Sequence, residues 1–193
     1  MSKSRTQLEN WVTTIDIEGK RVLDVGGSQL PIVGRANGDP KEYVIVDLEK
    51  PHECKRKPNL IWDIQDMNPI KDKSYEVFDS VFCLEVMEYL YRPFIALENM
   101  NKVLKRGGSL YVSFHFIYPV HKPNKKDYLR YTQWGAEKLL KEAGFKIDKF
   151  EHKVLDIQSV DCMARLNKIE GNKKDYNYNN HSSQGFLIKA IKI

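Results

Sequence analysis

The chain has 193 residues, 41% of them hydrophobic and 30% charged, with a formal net charge of +5. That length suits one substantial domain and is short for two, and the mix excludes collagen-like and wholly disordered chains. No apolar run approaches the roughly 18 residues of a membrane-spanning helix, and the start, Met1 to Arg5, leads into a polar segment without the apolar stretch of a secretory signal.

In chain order, Leu8, Trp11, Val12 and Ile15 recur at i, i+3, i+4 and i+7, which predicts a short helix within residues 1–19. Four short, almost continuously apolar runs follow: Arg21–Val25, Tyr43–Val46, Leu60–Trp62 and Val77–Leu84. Such runs suit strands buried on both faces of a parallel sheet. The first meets Gly26-Gly27-Ser28; the others end at Asp47, Asp63 and Glu85. A stripe at Phe94, Leu97, Met100 and Leu104 predicts a helix that closes on Lys105-Arg106 and Gly107-Gly108, with cations in the last turn and glycine beyond. Ser109–Phe114 is a fifth strand. Thr132 is placed to cap a helix running to Glu142 and stopped by Gly144.

Phe145–Glu151 and Phe186–Ile193 alternate in polarity, which predicts half-exposed strands near a sheet edge. Between them, Ile157, Val160, Met163, Leu166 and Ile169 suggest a helix, and Gly171–Asn180 reads as a mobile polar loop. The expectation is a single α/β domain, Rossmann-like. Its seven-stranded, mostly parallel sheet carries helices on both faces and as crossovers between the first five strands, with the last strand antiparallel. Residues 20–150 form the core, 154–185 a helix-plus-loop insertion and 186–193 the terminal strand.

Cys54, Cys83 and Cys162 are odd in number and scattered, which favours a reducing compartment, the cytoplasm. His52-Glu53-Cys54 lacks the further ligands of a metal site, so no metal is expected.

In open α/β sheets ligands gather at the carboxyl ends of the strands. A glycine after the first strand lets backbone approach a ligand closely. Asp47 is placed to accept the hydroxyls of a ribose, and Asp63 an adenine amino group. Dinucleotides and S-adenosylmethionine both fit that pattern. Gly26-Gly27-Ser28-Gln29-Leu30-Pro31 lacks the later glycines that a pyrophosphate needs, which favours the sulfonium cofactor over NAD.

The ordered series Val22-Leu23-Asp24-Val25-Gly26-Gly27, Val46-Asp47, Trp62-Asp63-Ile64, Phe78 to Leu90, Val103 to Leu110 and Leu139 to Phe145 resembles the class I S-adenosylmethionine-dependent methyltransferases of the type 11 group. The resemblance covers roughly residues 20–150. It implies that Gly26 and Gly27 pass beneath the methionine part of the cofactor, with Asp24 bracing that loop. It further implies that Asp47 holds the ribose, that Asp63 and Ile64 hold the adenine, and that Leu84 and Glu85 line the methionine end. Ser28 and Tyr89 depart from the family pattern, where a second glycine and a histidine are usual.

Methyl transfer to oxygen needs a proton removed, for which histidine is the natural base near neutral pH. The stretch after the fifth strand supplies His115 and His121 as candidate bases and Tyr118, Arg130 and Tyr131 as candidate acceptor contacts. From Lys102 to Arg130 there are seven Lys or Arg and one Asp, which suits an anionic acceptor. Cys83-Leu84-Glu85-Val86 stands where base-methylating enzymes carry an Asn-Pro-Pro-Tyr type element, so nucleic acid is a disfavoured partner. The expectation is methyl transfer to a small-molecule or glycan-like acceptor, with a non-catalytic binding subunit of the same fold as the alternative and an NAD-binding oxidoreductase as a weaker one.

Overall fold

The structure is a computed structural model that describes residues 2–67, 76–120, 122–153 and 183–193. Helix α1 (Lys3–Thr13) precedes strands β1 (Arg21–Val25), β2 (Glu42–Asp47), β3 (Leu60–Ile61) and β4 (Phe78–Cys83). Helix α2 (Pro93–Val103), strand β5 (Leu104–His115), helix α3 (Gln133–Glu142), and strands β6 (Phe145–Lys153) and β7 (Gly185–Lys192) complete the order. All seven strands form one sheet in the order β3-β2-β1-β4-β5-β7-β6. Strands β3, β2, β1, β4 and β5 run parallel, and β7 is antiparallel to both β5 and β6. This is the predicted Rossmann-like, mostly parallel sheet.

Alternation along the strands sorts apolar side chains to two faces. Val22, Phe82, Tyr111 and Leu187 pack with Leu8, Trp11 and Val12 of α1. On the other face Leu23, Val81, Leu110 and Ile188 pack with Leu97 and Met100 of α2 and Ala136 and Leu140 of α3. Ser2 caps α1 by accepting from the Arg5 amide, and Thr132 caps α3 by accepting from Gly135, which satisfies otherwise orphaned N–H groups.

The connections from β1 to β2 and from β2 to β3 carry no helix, contrary to the sequence expectation. Gly26, Gly27, Pro31, Gly34, Gly38 and Pro40 break the first. There Ile32 takes part, with Ile17 from the segment before β1, in covering the face with α1. The second helix ends at Val103, and Lys105-Arg106 already lies in β5, where the Lys105 amine pairs with Asp79 at 2.5 Å. The terminal strand is also not at an edge. β7 is inserted between β5 and β6 and is mostly buried, and of these last two strands it is β6 that forms an edge of the sheet, opposite β3. The helix expected over 157–169 and the loop over 171–180 lie outside the described residues.

Candidate active site

The carboxyl ends of β1 to β4 open onto a cavity of about 580 Å3. Gly26 follows β1 there, Asp47 ends β2, Asp63 and Ile64 follow β3, and Glu85 and Val86 follow β4. The same cavity is lined by Leu90, Tyr91, Lys126 and Tyr128. A second cavity of about 250 Å3 is lined by Arg5 and Leu8 of α1 together with Asp24, Gly27, Arg35, Lys55 and Leu84. Gly26, Gln29 and Glu85 border both.

The glycine loop has no room for side chains. Gly26 has φ +74°, and a Cβ there would lie 2.6 Å from Val86 Cγ2; one on Gly27 would lie 2.4 Å from Asp24 Oδ2. Asp24 is buried and accepts hydrogen bonds from the Ile32 amide at 2.9 Å and from the Tyr43 hydroxyl. It thereby ties the loop to β2. Burial raises its carboxyl to a pKa of about 6 against the lowering effect of those two donors.

Asp47 accepts from the Leu48 amide at 2.8 Å and the Ser28 amide at 3.3 Å, which leaves carboxylate lone pairs directed elsewhere. Asp63 accepts from the Gln65 amide at 3.1 Å. Ile64 is buried beside it.

Glu85 is held from several sides. It is a non-glycine residue at φ +58°, and its amide donates to Ser113 Oγ at 2.7 Å. Its Oε1 accepts from Ser113 Oγ at 3.0 Å and from Lys153 Nζ at 2.9 Å. Its Oε2 lies 3.2 Å from His115 Nε2, which is also 3.2 Å from Glu88 Oε1. Burial alone would raise the Glu85 pKa, but the charges on His115 and then Lys153 hold it well below the usual carboxylate range.

His115 is the counterpart. Burial would lower its pKa, yet Glu85 and then Glu88 raise it to about 9. It is completely buried between the two carboxylates and lines neither cavity, which is at odds with the expected general base. Tyr131 is corrected too: it packs in the core and its hydroxyl donates to the Met87 carbonyl at 2.8 Å, so it faces no acceptor. Arg130 forms a two-pronged pair with Asp127 at 2.5 and 2.7 Å and also donates to the carbonyls of Tyr118 and Pro119. That is a clamp on the loop after β5, as opposed to an acceptor contact. Tyr118 lies against the His115 ring, with centroids 4.3 Å apart. His121 lies outside the described residues.

Of the residues proposed for the cofactor, Gly26, Asp47, Asp63, Ile64 and Glu85 line the larger cavity, and Asp24, Gly27 and Leu84 the smaller. Sequence reasoning missed Ser113, Glu88 and Lys153. A lysine in an alternating strand reads as solvent-facing; its burial here follows from a partner 68 residues away.

Residues 23–112 match the family model described as a methyltransferase domain. The chain is 32% identical over 130 residues to a ubiquinone biosynthesis O-methyltransferase of Coxiella burnetii, covering 64% of this chain and 52% of that protein. A protein of the same name from Alkalilimnicola ehrlichii is 30% identical over 132 residues, covering 64% and 50%. The chain therefore spans about half the length of these relatives. An S-adenosylmethionine-dependent methyltransferase structure from Mesorhizobium loti superposes with a TM-score of 0.64 at 14% identity, covering 98% of each chain. With the strand order and the glycine loop, these matches show a class I methyltransferase fold, with residues 23–112 similar to the methyltransferase domain family.

Proposed function

We propose that this protein transfers a methyl group from S-adenosylmethionine to a hydroxyl oxygen of a small aromatic acceptor. The observation that carries the reading is one cavity that presents Asp47, Asp63 and Ile64 together with Tyr91, Tyr128 and Lys126. The residues fit the cofactor. A glycine loop with no space for Cβ atoms leaves backbone free to lie against a ligand, two carboxylates offer acceptors for hydroxyl and amino groups, and Ile64 supplies an apolar contact for a ring. When bound, the cofactor supplies a methyl group on a sulfonium, a centre that needs no metal or acid to activate it.

On the acceptor side, Tyr91 and Tyr128 meet edge to face with centroids 5.9 Å apart and are half exposed, a wall suited to stacking a flat ring. Lys126 on the same cavity favours an ionised hydroxyl. His115 is buried and lines neither cavity, so the reading favours a phenol, whose hydroxyl ionises more readily than that of a sugar. The O-methyltransferase relatives support oxygen as the methylated atom. Holding the acceptor oxygen in line with the methyl group supplies most of the acceleration, about 7–11 kcal/mol in favourable intramolecular models.

The test is incubation with methyl-labelled cofactor over matched panels of phenols, catechols and sugars, with thermal unfolding in parallel. Label is expected on phenolic oxygen. S-adenosylmethionine or its demethylated product at 100 times Kd should stabilise by about 2.7 kcal/mol, a shift of several degrees. No shift with either compound would overturn the cofactor assignment. Labelling of sugars alone would overturn the aromatic acceptor.

A further inference from the structure

Lys153 lies in a place that packing alone does not explain. Its side chain is only 1% exposed, and it comes from β6, an edge strand of the sheet, yet its amine reaches Glu85 at the end of β4. Bringing an ammonium out of water costs several kcal/mol unless it is well paired, and an apolar side chain of the same length would fill the space without that cost. Glu85 is the group it pairs with, and Glu85 is the one acidic residue that borders both cavities among those lining them.

The remaining surroundings of that carboxylate are fixed by protein. Ser113 and His115 reach it from β5, and Glu88, from the turn after β4, shares the His115 ring with it. The Glu85 side chain is nevertheless 22% exposed, toward the shared border of the cavities. The smaller cavity adds Lys55 together with Arg5 and Arg35, which both pair with Glu9, on the far side of the same border from Asp47 and Asp63. A ligand carrying both an ammonium and a carboxylate would find a partner of opposite sign for each.

We infer that Lys153 is a positioning residue that holds the Glu85 carboxylate at the junction of the two cavities, where Glu85 receives the ammonium of the cofactor's amino-acid end. The inference rests on the cofactor reading above. Lys55 is the matching contact for the carboxylate of the same end.

The experiment compares two probes that differ in that end. S-adenosylhomocysteine keeps the ammonium and carries no sulfonium charge; 5′-methylthioadenosine lacks the amino-acid portion altogether. Binding of both is measured by calorimetry from pH 5.5 to 7.5 for the wild type, Lys153→Met, Lys153→Arg and Glu85→Gln. In the wild type the affinity for S-adenosylhomocysteine should be flat over this range, because the paired carboxylate stays ionised. Lys153→Met should weaken S-adenosylhomocysteine about tenfold, as Glu85 loses one of the two cations that hold its carboxylate in place. Lys153→Arg should restore most of the affinity. Glu85→Gln should lose affinity to a similar degree. Methylthioadenosine should bind equally to all four.

Equal weakening of both probes by Lys153→Met and Glu85→Gln would show a merely structural role and overturn the inference. Unchanged binding of S-adenosylhomocysteine to Lys153→Met would overturn it while leaving the cofactor reading standing. Failure of the wild type to bind either probe would overturn both.

Discussion

Asp24 shows how a residue needed to shape a loop can be costly to the fold. Its carboxyl is raised from 3.8 to about 6, chiefly by burial. A raised carboxyl pKa means that the folded state binds the proton more tightly, so stability is greatest below about pH 4 and falls as pH rises toward 6. At one pKa unit per 1.36 kcal/mol, the penalty at neutral pH is on the order of 3 kcal/mol. Asparagine keeps an oxygen to accept from Ile32 and Tyr43 without the buried charge. Asp24→Asn is therefore expected to raise stability at pH 7 by about 1–3 kcal/mol and to flatten the pH dependence between 4 and 6, measured by urea unfolding. A loss at pH 7 would mean that the two donors require a charged acceptor.

His115 carries the opposite sign. Its folded pKa of about 9 stands above the ordinary 6.5, so its ion pairs contribute fully below pH 6.5 and are lost as pH rises through 9. Stability should decline along that alkaline limb, and His115→Gln should lack the decline. A variant whose unfolding midpoint tracks the wild type from pH 7 to 10 would contradict the assignment.

Among the elements, β7 shows most clearly where pattern reading stops. Its alternation, Phe186 to Lys192, is real, but polarity along one strand does not reveal which neighbours flank it. Pairing with β5 on one side and β6 on the other buries most of it. The approach to β5 is close at Gly185, where a Cβ would lie 2.1 Å from the Phe114 carbonyl oxygen. Backbone cannot yield there as a flexible side chain would. Gly185→Ala should cost more than the about 1–3 kcal/mol of ordinary overpacking. It should also weaken S-adenosylhomocysteine binding, because Gly185 is the register partner of both His115 and Lys153. Full stability with full binding in that variant would show that β7 shifts freely.

For the molecule as a whole, the cofactor half was legible because it is written in strand ends. Apolar runs closing on Gly26, Asp47, Asp63 and Glu85 give both the order of the strands and the groups they deliver to one rim. The acceptor half was far less legible. Lys102 to Arg130 reads as one basic field, but folding spends Lys105 on Asp79 and Arg130 on Asp127, while Lys126 lines the larger cavity. His115 and Tyr131 looked like loop chemistry and are instead a buried cation and a core ring, because β5 runs on to His115 and Tyr131 packs beneath the turn at Met87. Such roles depend on contacts distant in sequence, which spacing does not encode.

The position of β7 has a consequence for how the protein is made. As the chain leaves the ribosome, β5 and then β6 emerge with no hydrogen-bonding partner for each other, since the strand that joins them is not synthesised until Gly185 to Lys192. Until then Lys153 has no sheet to hold it against Glu85. The charged end of the cavity thus forms only after β7 is made, and a chain released before Gly185 to Lys192, even one whose β1 to β5 have already paired, lacks the Lys153–Glu85 pair.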